Sequence, residues 1–133
     1  MIRSLAMKFC LMCLWLLGLA IPAFAHHSFD AEYDGNKPIV LTGVVTKVEW
    51  MNPHARFYVD VKGNDGSVTS WNLELGSPAS LIRRGWTRHS PQVGDQITVK
   101  ASLAKDGSKM ANARSVTLAD GTSVFGASSA DKE

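Results

Sequence analysis

The sequence predicts a small all-β domain that contains one short helix. Five segments between Pro38 and Leu118 are rich in β-branched and aromatic residues, and several of them alternate apolar and polar residues with a period of two. Turns that contain glycine separate these segments. A helix start signal lies between the third and fourth segments, which accounts for the helix.

Residues 1–25 are expected to form a secretory signal peptide. Arg3 and Lys8 precede a short apolar run, and residues 23–25 (Ala-Phe-Ala) have the small-x-small pattern that signal peptidase accepts. The run is too short for a membrane anchor and no stop-transfer charges follow it. We therefore expect export to the periplasm, or secretion, without a membrane anchor after cleavage. Cys10 and Cys13 both lie in this segment, which argues against a redox role for their Cys-x-x-Cys spacing.

The charge balance after the predicted cleavage site is neutral. Of the 14 Lys and Arg residues, Arg3 and Lys8 lie in the signal, which leaves 12 against the 12 Asp and Glu residues. Nucleic-acid binders usually show a basic surplus or a basic stripe, so this balance argues against nucleic acid as a partner. The remaining 108 residues suffice for one domain, which must fold without disulfides.

The first three strands follow an N-terminal arm. Residues 26–37 are polar, lack a period and are expected to form an extended arm that ends in an Asp-Gly-Asn turn. A long strand from Pro38 to Trp50 follows, and Gly43 inside it predicts a bulge or sharp bend. His54–Val61 and Ser67–Leu75 alternate on either side of a glycine-rich turn, which predicts an antiparallel hairpin.

The second half supplies the helix and two more strands. Ser77 as N-cap, Pro78 at the first helical position and Gly85 after the last turn predict a short helix. Gln96–Leu103 and Met110–Leu118 form the fourth and fifth strands. A five-stranded Greek-key barrel with its helix between strands 3 and 4 is the oligonucleotide/oligosaccharide-binding (OB) arrangement, which we predict for residues 38–126. Residues 127–133 are expected to form a disordered tail.

Several motifs occur together between residues 26 and 125. They are His26-His27-Ser28-Phe29, Leu41-Thr42-Gly43, Trp50-Met51-Asn52-Pro53-His54, Trp71, Glu74 to Pro78, Gly85-Trp86-Thr87-Arg88 and Gly94-Asp95. In this combination the chain resembles a family of small exported bacterial proteins catalogued as a domain of unknown function. The resemblance implies an exported OB-like protein and brings no established activity or site residue.

Three histidines are candidate metal ligands. Cleavage after Ala25 would leave His26 with a free α-amino group, and His27 and His54 would supply further imidazoles. An amine with nitrogen ligands and no thiolate favours a copper-class ion, above all Cu(II). The alternative, which the sequence alone favours, is that residues 26–27 are merely a polar start of the mature chain and that the His54 imidazole bonds to nearby backbone.

A second group of residues is a candidate ligand-binding surface for a metal-free binding module. Three arginines surround Trp86 in the sequence: Arg83, Arg84 and Arg88. Their guanidinium groups could bind a small anion or a glycan through bidentate hydrogen bonds, with Trp86 and Tyr58 as stacking residues. A protein partner fits the same interpretation. The opposing interpretation, which we favour for Trp86, is that the indole fills the bottom of the barrel.

The chain offers no constellation typical of an enzyme. Its serines lack a nucleophile-elbow context and no pair of carboxylates stands out. Glu74 is expected to pair with an arginine such as Arg56 rather than to act in catalysis. The sequence therefore predicts a binding or accessory protein.

Overall fold

A computed structural model describes residues 29–89 and 91–126. The predicted signal peptide, His26, His27 and the predicted tail at 127–133 lie outside the described residues. Within the described part of the chain, no helix is long and apolar enough to cross a membrane.

The strands and the helix follow one another in the predicted order. They are β1 (Tyr33–Glu49), β2 (Arg56–Lys62), β3 (Val68–Glu74), α1 (Pro78–Arg83), β4 (Gln96–Ala104), β5 (Met110–Leu118) and β6 (Ser123–Phe125), and residues 29–32 are helical ahead of β1. Ser77 caps α1 as predicted, since its side chain accepts a hydrogen bond from the Ser80 backbone N–H. Gly85 ends the helix with a positive φ of 92°, which favours glycine.

The strands form one closed sheet in the order β3-β2-β1-β4-β5-β6. All neighbours in this order are antiparallel, and a parallel pairing of β3 with β5 closes the barrel. β1 is long enough to pair with β4 through its first half and with β2 through its second. Such a closed sheet with a helix between β3 and β4 confirms the predicted all-β, OB-like class.

Gly43 lies where β1 changes partner. A Cβ added there would lie 2.3 Å from the Asp60 carbonyl oxygen and 2.8 Å from Val59 Cγ1, so only glycine lets β1 and β2 approach this closely. The β1–β2 register shifts between Val45 and Lys47, just beyond it. The bulge predicted from Gly43 is therefore present two residues further along the strand.

The core is formed by the faces that the alternating patterns predicted. Its members share near-complete burial on the inner faces of the strands and on α1, and include Phe57, Val59, Leu73, Leu81, Ile97, Val99 and Val116. Trp86 is 4% exposed and lies in this core, in tilted contact with Phe57 at a centroid distance of 5.5 Å. Its Nε1 donates a hydrogen bond to the Phe125 carbonyl at 2.6 Å.

Two features differ from the sequence expectation. The sheet has six strands rather than five, because residues 123–125 pair with β5 beyond the Asp120-Gly121 turn. Three residues are too few to show a period, which is why β6 was not predicted. In addition, β1 begins at Tyr33, inside the expected arm, because Tyr33 pairs with Ala104. The predicted Asp-Gly-Asn turn is retained as an irregularity after Tyr33, where Asp34 Oδ1 accepts a hydrogen bond from Asn36 N.

Candidate functional site

His54 is held at the start of β2 by the backbone around it. Its neighbour Ala55 donates to the Gly76 carbonyl at 3.0 Å and accepts from Leu75 N at 2.9 Å, which extends the chain up to β2. The half-buried His54 ring contacts the Leu75 carbonyl through Nδ1 at 3.1 Å. A protonated Nδ1 in this bond leaves the Nε2 lone pair available, an arrangement typical of histidine ligands whose tautomer is fixed by backbone.

Arg56, two residues further along, pairs with a buried carboxylate. Arg56 and Glu74 are cross-strand partners on β2 and β3, and Arg56 Nη2 lies 2.6 Å from Glu74 Oε2. The Glu74 side chain is only 8% exposed. This confirms the predicted pairing of Glu74 with Arg56, and burial strengthens the mutual dependence of the two charges.

Tyr33 lies against this ion pair and is itself 2% exposed. Burial, and then the negative charge of Glu74, raise the pKa of the Tyr33 hydroxyl well above its ordinary value. The hydroxyl has no hydrogen-bond partner among the described residues. Tyr33 is therefore a neutral, buried phenol beside Arg56 and Glu74.

The segment that leads into Tyr33 is fastened to the β4–β5 hairpin. The Lys105 backbone N–H donates to the Glu32 carbonyl at 2.9 Å, and the Lys105 ammonium donates to the Asp30 carbonyl. Phe29 is buried and packs on Tyr33 with the ring centroids 5.7 Å apart. The two hydrogen bonds from Lys105 and the pairing of Tyr33 with Ala104 thus hold residues 29–33 against the barrel.

A cleft of about 590 Å³ opens between this segment, the start of β2 and the β4–β5 hairpin. Its polar lining comes from Tyr33, Arg56, Lys105, Glu32 and Asp106. Ala31, Ala104 and Met110 supply the apolar part. In OB barrels the loops between strands 1 and 2 and between strands 4 and 5 are common binding elements, and this cleft adjoins the second of them.

Two buried amide oxygens lie close to the cleft, where β3 and β5 close the barrel. Asn72 is paired with Met110 and Asn112 with Glu74 across the parallel ladder. Neither Asn72 Oδ1 nor Asn112 Oδ1 has a hydrogen-bond partner within the described ranges. Buried polar groups normally find a partner, so these two oxygens and the Tyr33 hydroxyl are exceptions among the described residues.

The three predicted metal ligands are only partly placed. His54 faces outward on the same side of the chain as Arg56, because the buried Ala55 and Phe57 alternate with them. Residues i and i+2 of an extended chain are about 7 Å apart, so His54 lies close to the Arg56 end of the cleft. The described residues contain no group of three or more His, Cys, Asp or Glu side chains that could hold a metal ion. His26 and His27 lie outside the described residues.

The predicted anion-binding residues are dispersed over two parts of the barrel. Arg83, Arg84 and Arg88 are exposed at the end of α1 and in the turn after it. Arg83 Nη2 donates to Ser80 Oγ at 3.1 Å. Trp86 is a core residue and not part of a ligand surface, because its ring is buried and its N–H is already bonded.

Tyr58 lies on the outer face of β2, where it contacts Glu49 and Lys47. Its hydroxyl donates to Glu49 Oε2 at 3.1 Å, and the Lys47 ammonium lies 4.9 Å from its ring centroid. Lys47 also bonds to Glu49 and, with Tyr58, holds the pKa of the Glu49 carboxyl below its usual value. None of these contacts joins Tyr58 to the three arginines near α1.

Sequence reasoning missed the cleft and the residue that organises it. Tyr33 and Phe29 are spaced four residues apart in an otherwise polar arm, which is the spacing of neighbours on a helical turn. That pair of aromatics was the available signal that the arm packs on the barrel. Lys105 and Asp106 lie between the predicted fourth and fifth strands, where a turn is the ordinary expectation.

The closed barrel, with its helix between β3 and β4, is an OB-like β-barrel. Residues 14–113 match the family of unknown function DUF6152, and the chain belongs to that family. The fold is similar to the crystal structure of the mitochondrial single-stranded DNA binding protein Rim1 from S. cerevisiae. That similarity has a TM-score of 0.50 at 10% sequence identity and covers 62% of this chain and 93% of Rim1. Among curated proteins, none matches the sequence.

Proposed function

We propose that this protein is an exported, OB-like binding or accessory protein whose trimmed amino terminus chelates a copper-class ion. Cleavage after Ala25 would supply the α-amine and imidazole of His26, His54 would supply the facing imidazole, and His27 is an alternative or additional ligand. The observation that supports this proposal is the burial of Tyr33, which fastens the N-terminal segment beside Arg56 on the face of the chain that carries His54.

The length of the chain allows His26 to reach His54. His26 lies seven positions before Tyr33, and an extended chain spans at most about 3.6 Å per residue, or roughly 25 Å over this stretch. If the helical residues 29–32 contribute only about 1.5 Å each, the reach is still roughly 15 Å. Arg56 lines the cleft together with Tyr33, and His54 lies two residues before Arg56, about 7 Å along an extended chain, so a reach of this order supports a shared site for His26 and His54.

The donor set fits copper better than the alternatives. Imidazole and amine nitrogens suit Cu(II), Ni(II) and Zn(II), and the affinity order favours Cu(II). His54 is already oriented by the Leu75 carbonyl, which reduces the cost of fixing it at a metal. Binding should weaken at acidic pH because protonated imidazoles cannot coordinate.

The test compares three proteins with a matched control. Mass spectrometry first establishes that the exported protein begins at His26. Cu(II) and Zn(II) are then titrated into that protein, into a version with one additional N-terminal alanine, and into His54→Ala. His89→Ala removes an exposed histidine elsewhere and serves as the control.

We expect the extra alanine and His54→Ala each to weaken Cu(II) binding at least tenfold, with His89→Ala unchanged. Equal affinity in the extended protein would refute the role of the amine, and equal affinity in His54→Ala would refute the facing imidazole. Absence of copper binding in every protein would leave the metal-free module, for a small anion, a glycan or a protein partner, as the proposed function.

The DNA binding named for Rim1 is not extended to this protein. A likeness at 10% identity concerns the fold, and the 12 basic and 12 acidic residues after Ala25 provide no basic surplus for phosphates. The proposal therefore concerns a small ligand or metal ion.

A further inference from the structure

The cleft beside Tyr33 carries an inference that is independent of the copper proposal. Its charged lining consists of two cations, Arg56 and Lys105, and two carboxylates, Glu32 and Asp106. A cleft of balanced charge favours neither a simple anion nor a simple cation. We propose that it binds a small zwitterion, of the class of an amino acid or short peptide with free amino and carboxyl termini.

Arg56 is the group that would receive the carboxylate. Arg56 lines the cleft, and within the described residues only its Nη2 is bonded, to Glu74, so its other N–H donors are available to a ligand. A guanidinium offers two parallel N–H donors to one carboxylate, which gives both strength and orientation. The Glu74 carboxylate fixes the position of the Arg56 guanidinium, since Glu74 Oε2 lies 2.6 Å from Arg56 Nη2.

Glu32 and Asp106 would receive the ammonium group. Both are exposed, and they come from the N-terminal segment and from the β4–β5 hairpin, whereas Arg56 comes from β2. Hydrogen bonds from Ser108 hold the pKa of the Asp106 carboxyl below its usual value, so it is ionised at neutral pH. Lys105 bonds to the Asp30 carbonyl, which commits part of its ammonium to the segment itself.

The rest of the cleft suits an aliphatic side chain. Ala31, Ala104 and Met110 form its apolar lining, and a methionine adapts to side chains of different shape. The volume of about 590 Å³ lies within the range of small-ligand sites. Tyr33 borders this space beside the Arg56–Glu74 pair.

The experiment uses the purified protein and the dipeptide alanyl-leucine, its N-acetyl derivative and its C-terminal amide. Excess chelator is present, because free peptides bind copper and would confuse this site with the proposed metal site. Isothermal titration and amide chemical shifts give the affinities. We expect the dipeptide to bind and each blocked derivative to bind at least tenfold more weakly.

One conservative double variant and a matched control locate the site. Glu32→Gln combined with Asp106→Asn should weaken alanyl-leucine at least tenfold and leave the N-acetyl derivative unchanged. Asp120→Asn is the matched control, since Asp120 Oδ1 accepts a turn hydrogen bond from Thr122 N as Asp106 Oδ1 does from Ser108 N. Three results would overturn the proposal. They are equal binding of all three peptides, an equal effect of the double variant and of Asp120→Asn on alanyl-leucine, and no binding of alanyl-leucine up to about 10 mM.

Discussion

Replacement of Arg56 by methionine tests how strongly the buried carboxylate of Glu74 depends on its partner. Methionine retains much of the aliphatic stem and removes the guanidinium, whose Nη2 lies 2.6 Å from Glu74 Oε2. The Glu74 side chain is 8% exposed and that of Arg56 is 27% exposed, so water can replace the lost partner only from one side. Breaking a buried pair costs about 3–5 kcal/mol, and this partial access places our expectation at about 3 kcal/mol. For a domain of this size the corresponding fall in Tm is roughly 10–20 °C.

The double variant Arg56→Met with Glu74→Leu separates the pair from the packing. It removes both charges, and apolar replacement of a buried ion pair is often neutral, so we expect its free energy of unfolding to lie within about 1 kcal/mol of the unmodified protein. Urea denaturation of the two single variants, the double variant and the parent gives the coupling energy. A loss below about 1 kcal/mol in Arg56→Met, or a double variant no more stable than it, would refute the reasoning.

Two further predictions concern Gly43 and Tyr33. Gly43→Ala should lower the free energy of unfolding, measured by urea denaturation, by about 3 kcal/mol or more, because the new Cβ meets the Asp60 carbonyl at 2.3 Å. Gly35→Ala is the control and should cost nothing, since its nearest contact is 3.5 Å; similar stabilities of the two variants would contradict this. The raised pKa of Tyr33 means that the folded state holds the phenol proton more tightly than the unfolded state, so stability should fall as pH rises above about 10. Tyr33→Phe should lose less stability than the parent between about pH 9 and about pH 11, and an identical pH dependence would show that Tyr33 does not ionise on unfolding.

Local patterns account for most of the barrel and for the ion pair. The alternation in β2, β3, β4 and β5 predicted the bounds of these strands to within two residues. It also predicted that Phe57 and Val59 face inward and Arg56 outward, because the period of two assigns every residue to one side of the sheet. The Arg56–Glu74 pair was expected because a lone glutamate is more often paired with an arginine than catalytic, and the hairpin register places the two residues opposite each other.

The cleft was beyond such patterns because its walls come from distant parts of the chain. Tyr33 is buried by pairing with Ala104 and by contact with the Arg56–Glu74 pair, none of which is near it in sequence. A period cannot show that a polar arm will dock on the outside of a barrel. Closure of β3 on β5 is similarly a long-range event, and it brings Asn112 beside Glu74.

The docking of residues 29–33 is what distinguishes this barrel from one with a loose N-terminal extension. A histidine at the end of a freely moving arm would bind a metal ion alone and would lose conformational freedom on meeting a second ligand. In this protein Tyr33 is already paired in the sheet, and Lys105 donates hydrogen bonds to the Glu32 and Asp30 carbonyls. Much of the conformational entropy of this segment is therefore lost on folding. The same docking forms one wall of the cleft, which Arg56 also lines. Both proposals therefore depend on the burial of Tyr33, but the metal site uses His54 and the zwitterion site uses Arg56. Either proposal can therefore fail without refuting the other.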